Sequence, residues 1–142
     1  MTHRANTDES SSDSDDHPVS ESNLLAKVLT VSDGVMSGSR EDKSGEALVL
    51  SLSAGGFNVV EHRAVADGVE NVATSLSEMT KDFAGLIITT GGTGFTERDL
   101  TPEGTLQVLE RQAPGIAEAM RLVNPLGRLS RGVAGIIGRS II

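Results

Sequence analysis

From Leu24 onward the chain alternates between short apolar runs and longer stretches in which apolar residues return every three or four positions. The first run, LLAKVLTV, is rich in β-branched residues and stops at Ser32-Asp33-Gly34, a turn signal, which predicts a buried strand. The polar stretch SDGVMSGSREDKSG is expected to be a long loop. In GEALVLSLSAGGF, Leu48 and Leu52 stand one helical turn apart, and Gly55-Gly56 offers the left-handed stop of a helix of about three turns. FNVVEHRAV predicts a second strand with imperfect alternation, left by way of Ala66-Asp67-Gly68. From Val69, the positions Val72, Leu76, Met79 and Phe83 mark one face of a helix. GLIITT is an unbroken apolar strand running into GGTG. Thr101, Pro102 and Glu103 supply a hydroxyl cap, a proline at the first helical position and an acid in the first turn, with Leu106 and Leu109 as that helix's apolar face. After Ala113-Pro114-Gly115, helical spacing resumes at Ile116, Met120 and Val123 and stops at Asn124-Pro125.

Strand, helix, strand, helix, strand, helix is the order of an α/β domain with parallel strands and helices on the sheet faces. Its ligands bind where the carboxyl ends of the strands meet their loops. Three loops fall there: Ser32-Asp33-Gly34, Ala66-Asp67-Gly68 and Thr90-Gly91-Gly92-Thr93-Gly94. Glycines without Cβ let the backbone approach a ligand and turn its N–H groups toward an anion, while Thr90 and Thr93 add hydroxyl donors. A phosphate-bearing ligand would fit. An isolated Gly-Gly pair is more often a plain tight turn, but here Glu97, Arg98, Asp99 and a well-marked helix start crowd the same strand end. Asp99 beside a phosphate would need a divalent cation between them; a solvated loop acid or local cap explains it about as well. Asp67 and Asp33 are also ordinary turn formers, and only their shared place after successive strands gathers them toward one mouth. His62 lies on a strand and reads as surface rather than catalytic.

Composition narrows the chemistry. Of 142 residues 2% are aromatic, with no Trp or Tyr, so stacking on nucleic-acid bases is disfavoured. The formal charge of -8 argues against DNA and anionic membrane faces. Absent cysteines exclude disulfides, thiolate metal sites and thiol nucleophiles. No apolar run approaches the roughly 20 residues of a membrane span, and a cytoplasmic protein is expected. Residues 1–22 hold six acids against Arg4 alone, so this segment is expected to be a disordered acidic tail ahead of one domain over 23–142. The run from Gly38 to Ser44 is one residue short of a P-loop and lacks its second glycine, no GxGxxG occurs, and no serine sits in a hydrolase elbow.

TTGGTGFTERDLTPE at 89–103, with VLTVSD at 28–33 and LSRGVAG at 129–135, resembles the MogA/MoaB family of molybdenum cofactor biosynthesis proteins. The likeness runs from Leu25 to the last residue, and the LSR-x-x-AG form is closer to the MogA branch. It implies a three-layer, Rossmann-like α/β domain with a mostly parallel sheet, assembled as a homotrimer. The implied reaction transfers AMP from Mg-ATP to molybdopterin, giving adenylyl-molybdopterin, the substrate of a molybdate-inserting partner enzyme, and pyrophosphate. Carried over by the resemblance, Asp67 and Asp99 handle Mg²⁺ and phosphate, Thr90, Gly91, Gly92, Thr93 and Gly94 cradle ligand, Ser130 contacts molybdopterin, and Ser32 and Asp33 match the first-strand loop. The family's LPG-S/Q-P loop and its following helix and strand have no counterpart after RSII. Ile141 and Ile142 are therefore expected to form an apolar strand end with nothing downstream to pair it. A non-catalytic, molybdopterin-binding MoaB-like paralogue or truncated remnant is the alternative. A generic Mg²⁺-dependent nucleotide hydrolase ranks below both.

Overall fold

The computed structural model describes residues 24–142, so the expected acidic tail lies outside the described residues. Six strands, β1 (Leu25–Val31), β2 (Asn58–Val65), β3 (Gly85–Thr90), β4 (Arg111–Gln112), β5 (Gly135–Ile137) and β6 (Ser140–Ile141), form one sheet. Their order is β2-β1-β3-β6-β5-β4, parallel from β2 to β6 and antiparallel at β6-β5 and β5-β4. Five helices accompany it: α1 (Asp33–Met36), α2 (Lys43–Ala54), α3 (Val69–Met79), α4 (Thr101–Val108) and α5 (Pro114–Leu122).

The sheet is buried on both faces, which is why β1 reads as a continuous apolar run. Leu29 and Val31 point with Ile87 into a core completed by Val72, Leu76 and Met79 of α3, while Ala26 and Val28 turn to the opposite side against Leu52 of α2. Helix, sheet and helix make the three-layer α/β fold that the resemblance implies. Strand β2 is one edge, with residues 58, 60 and 62 exposed. Among the described residues no helix is long and apolar enough to cross a membrane.

Several expectations change. The stretch after β1 is not all loop: Ser32 Oγ accepts from the Val35 amide to cap α1, and Asp42 Oδ1 accepts from the Gly45 amide to start α2 at Lys43. Helix α3 ends at Met79, where Thr80 Oγ1 donates to the Leu76 carbonyl, and Phe83 joins the same core from the turn beyond it. The left-handed residue after α2 is Gly56, at φ 92°.

Thr101 is not the cap of α4 but its first residue; its hydroxyl donates instead to the Gly91 carbonyl at 2.8 Å. Nor do Leu106 and Leu109 form its buried face. Thr101, Pro102, Gly104 and Thr105 are buried, and a Cβ at Gly104 would stand 2.7 Å from that of Val72, so small residues let α4 press on α3. Along α5 the predicted apolar positions lie outward, Met120 59% and Val123 86% exposed, and only Ala117 is buried. Ile141 and Ile142 are not an unpaired end. Strand β6 runs between β3 and β5, Ile142 exchanges backbone hydrogen bonds with Gly135, and its side chain packs on the α3 core.

Candidate active site

The loops after β1, β2 and β3 meet at the carboxyl edge of the sheet, and the glycine-rich turn after β3 is their centre. Gly91 and Gly92 adopt φ of 96° and 68°, a region that costs a side-chain-bearing residue about 1 kcal/mol or more. A Cβ on Gly91 would fall 2.1 Å from the Val31 carbonyl oxygen, and one on Gly92 2.2 Å from Thr101 Oγ1. Glycine is required at both.

The backbone polarity of this turn is one-sided. The Gly91 and Gly92 carbonyls accept from the hydroxyl and amide of Thr101. Those of Thr93 and Gly94 accept from the amide and Nε of Arg131. Every carbonyl is thus tied to the scaffold, whereas no hydrogen bond among the described residues uses the amides of Gly92, Thr93 or Gly94. Free backbone amides in a glycine turn are available to an anion.

Arg131 does more than close that turn. Its guanidinium also donates to the Asp99 carbonyl at 2.6 Å and to Glu103 Oε1 at 2.5 Å, joining the turn, the Asp99 loop and the first turn of α4. The Glu103 carboxyl is held below its ordinary pKa by that hydrogen bond.

The acids expected at the mouth are there, in different roles. Asp67 Oδ2 accepts from the Asp33 amide at 2.9 Å, and Oδ1 lies 3.1 Å from where a Gly92 Cβ would be. Asp99 Oδ2 accepts from the amide and hydroxyl of Thr96 and lies 2.8 Å from the Cβ position of Gly94. The loop-cap reading of Asp99 is therefore true of one oxygen. Each carboxylate keeps a second oxygen that takes no hydrogen bond among the described residues, and both side chains line one cavity of about 550 Å³. Two such oxygens suit a hard cation that draws its remaining ligands from phosphate and water.

Asp33 is held by an arginine. It lines neither cavity at this edge; Arg98 clasps both its oxygens at 2.9 Å, and Oδ1 also accepts from the Asp67 amide. The Arg98 hydrogen bond lowers the Asp33 pKa and the carboxylate raises that of Arg98. Asp33 and Arg98 thus lock the first loop to the second, with both side chains still exposed. Ser32 lines the large cavity while capping α1.

A second cavity, of about 240 Å³, opens on the other side of the turn. Thr90 and Gly91 belong to both; Gly92 faces only the large one and Thr93 only the small one. Ser130 lines the small cavity beside Ala117, Met120 and Val133, and its hydroxyl accepts from the Gly132 amide. Gly94 lines neither and lies behind Asp99. His62 is outside both cavities, its Nε2 2.8 Å from Asp42.

Arg98 and Arg131 do not stand out in the sequence. Their partners lie 65 and 37 residues away, and the only signal is that each sits inside a motif, RD and LSR.

A mostly parallel α/β sheet thus brings free turn amides and two carboxylates together at its carboxyl edge, between two cavities. Residues 27–140 match the model of the probable molybdopterin binding domain family. Molybdopterin adenylyltransferase of Helicobacter pylori strain J99 is 39% identical over 122 residues, spanning 81% of this chain and 69% of its own length. A solved MogA structure is 37% identical with a TM-score of 0.77, covering 83% of this chain and 80% of that one. The molybdopterin biosynthesis enzyme MoaB of Thermus thermophilus is 40% identical with a TM-score of 0.77, covering 84% and 78%. The chain belongs to the MogA/MoaB family of molybdenum cofactor biosynthesis proteins.

Proposed function

We propose that this protein transfers the adenylyl group of ATP to the terminal phosphate of molybdopterin, releasing pyrophosphate. The observation that carries this reading is the turn after β3, whose amides are free, whose carbonyls are all tied back, and whose Thr90 and Gly91 separate two cavities. One turn can then meet phosphates arriving from both sides. The names of relatives such as the Helicobacter pylori enzyme support the choice of substrates.

The larger, charged cavity suits the nucleotide and the smaller one, with Ser130 and the apolar Met120 and Val133, suits the pterin. Both reactants are anions, so their approach must be stabilised electrostatically and held in line; no protein nucleophile is required. Asp67 and Asp99 would hold Mg²⁺, which supplies neutralising charge between the two phosphates. The Gly92 amide would orient phosphate oxygens from the large cavity and the Thr93 amide from the small one, Thr90 adds a hydroxyl donor, and Arg131 keeps the turn in shape. With this reading go the further expectations of the resemblance: a homotrimer, a cytoplasmic location, and a molybdate-inserting enzyme as recipient of the product.

The match of residues 27–140 to a family described as a probable molybdopterin binding domain supports a second reading, binding of molybdopterin without transfer. One assay separates the two. Incubation with Mg²⁺, ATP and molybdopterin is expected to yield AMP joined to the pterin. Binding of both ligands with no such product would overturn adenylyl transfer and select the binding protein.

A further inference from the structure

The large cavity has a wall that the two-phosphate reading leaves unused. Between α1 and α2 the chain presents Arg40 and Lys43 to it, and neither has an ion-pair partner among the described residues. That wall is braced from behind. Asp42 Oδ2 accepts from the buried Thr30 hydroxyl at 2.8 Å and contacts His62, and its Oδ1 caps α2. Gly45 is packed so closely against these groups that a Cβ would stand 2.4–2.5 Å from all three side chains. Arg40 and Lys43 thus flank an anchored residue. Glu41 and Asp42 share the wall, so its formal charges balance; the oxygens of Asp42 are engaged by Thr30, His62 and the Gly45 amide, while Arg40 and Lys43 keep their donors free of ion pairs.

Adenylyl transfer fixes where a leaving group must go, and the inference rests on that reading. An oxygen of the pterin phosphate forms a bond to the α-phosphorus, the bond from that phosphorus to the bridging oxygen breaks, and pyrophosphate departs with the electron pair. Attack and departure are in line. The attacking phosphate comes from the small cavity across Thr90 and Gly91, so the leaving group moves away from them, into the part of the large cavity that the small one does not share. We infer that Arg40 and Lys43 form a binding wall for inorganic pyrophosphate, receiving the β- and γ-phosphates of ATP before transfer and retaining the diphosphate after it. An arginine fork and a lysine ammonium are the groups that recognise phosphate oxygens.

Calorimetric titration of the purified chain with inorganic pyrophosphate in Mg²⁺ buffer tests this. Wild type is expected to bind it, and Arg40→Gln and Lys43→Gln each to weaken that binding about tenfold. AMP affinity should stay within about twofold, and Lys81→Gln, which removes an exposed charge beyond the far end of α3, should leave pyrophosphate affinity equally close to wild type. Both wall residues are exposed, and unchanged circular dichroism will certify the fold. No binding by wild type, no loss in the wall variants, or an equal loss in Lys81→Gln would overturn the inference. If the wall variants lose pyrophosphate as expected but no adenylyl-molybdopterin ever forms, the transfer reading fails and the diphosphate site remains. Transfer with undiminished pyrophosphate affinity in the wall variants does the reverse.

Discussion

The two cavities share a turn of backbone and little else. The larger carries Asp67, Asp99, Arg40 and Lys43, while the smaller is lined by hydroxyls, glycines and the apolar Ala117, Met120 and Val133, with Arg121 as its one charged residue. Arg121 is itself occupied, donating to the Gly132 carbonyl at 2.8 Å. A polyphosphate needs charge of both signs, because its cation must be held by carboxylates and its oxygens met by donors. A flat heterocycle needs walls and a few hydrogen bonds. The difference between the cavities thus assigns each substrate's distinctive part, and the shared Thr90-Gly91 segment is where their common part, phosphate, would meet.

Asp99→Asn should break that division most severely. It keeps the cap on Thr96 and removes the charge, so transfer should fall by about a hundredfold or more while molybdopterin binding by fluorescence titration changes little. An equal loss of pterin binding would merge the two sites. Ser130→Ala is the mirror experiment with a smaller effect: pterin affinity is expected to drop about fivefold to tenfold, with ATP affinity unchanged. Loss of ATP affinity in that variant would reverse the assignment.

Arg98→Gln has the smallest expected effect and concerns pH. Because Arg98 lowers the Asp33 pKa, the clasp contributes stability above the ordinary carboxylate range, and that contribution disappears only as pH falls through the depressed folded value. Thermal melts from pH 7 downward should show the difference between variant and wild type narrowing as pH falls below the ordinary carboxylate range. A difference that grows toward low pH would contradict the clasp.

Much of the site is legible in the amino-acid order itself, and the reason is local. The glycine turn after β3, the loop acids Asp67 and Asp99 that follow β2 and β3, and the apolar run of β1 are all visible as short local patterns. The clasp on Asp33 is not legible, because a turn acid left in solvent and one held by an arginine 65 residues away look alike in sequence. The buried face of α4 is hidden for a related reason: Gly104 and Thr105 signal nothing by hydrophobicity, yet they are buried because α3 comes close enough to demand small residues.

From its sequence alone this chain was bound to form an α/β sheet with a glycine turn and acids at one edge, since strand and helix periodicities and glycine's backbone freedom act over a few residues. Tertiary structure alone decided which carbonyls Arg131 and Thr101 would capture, leaving the amides of the turn free, and which carboxylate oxygens stayed available. Those outcomes are hydrogen-bond competitions between distant segments, and the winner is settled only once the sheet has brought the competitors together.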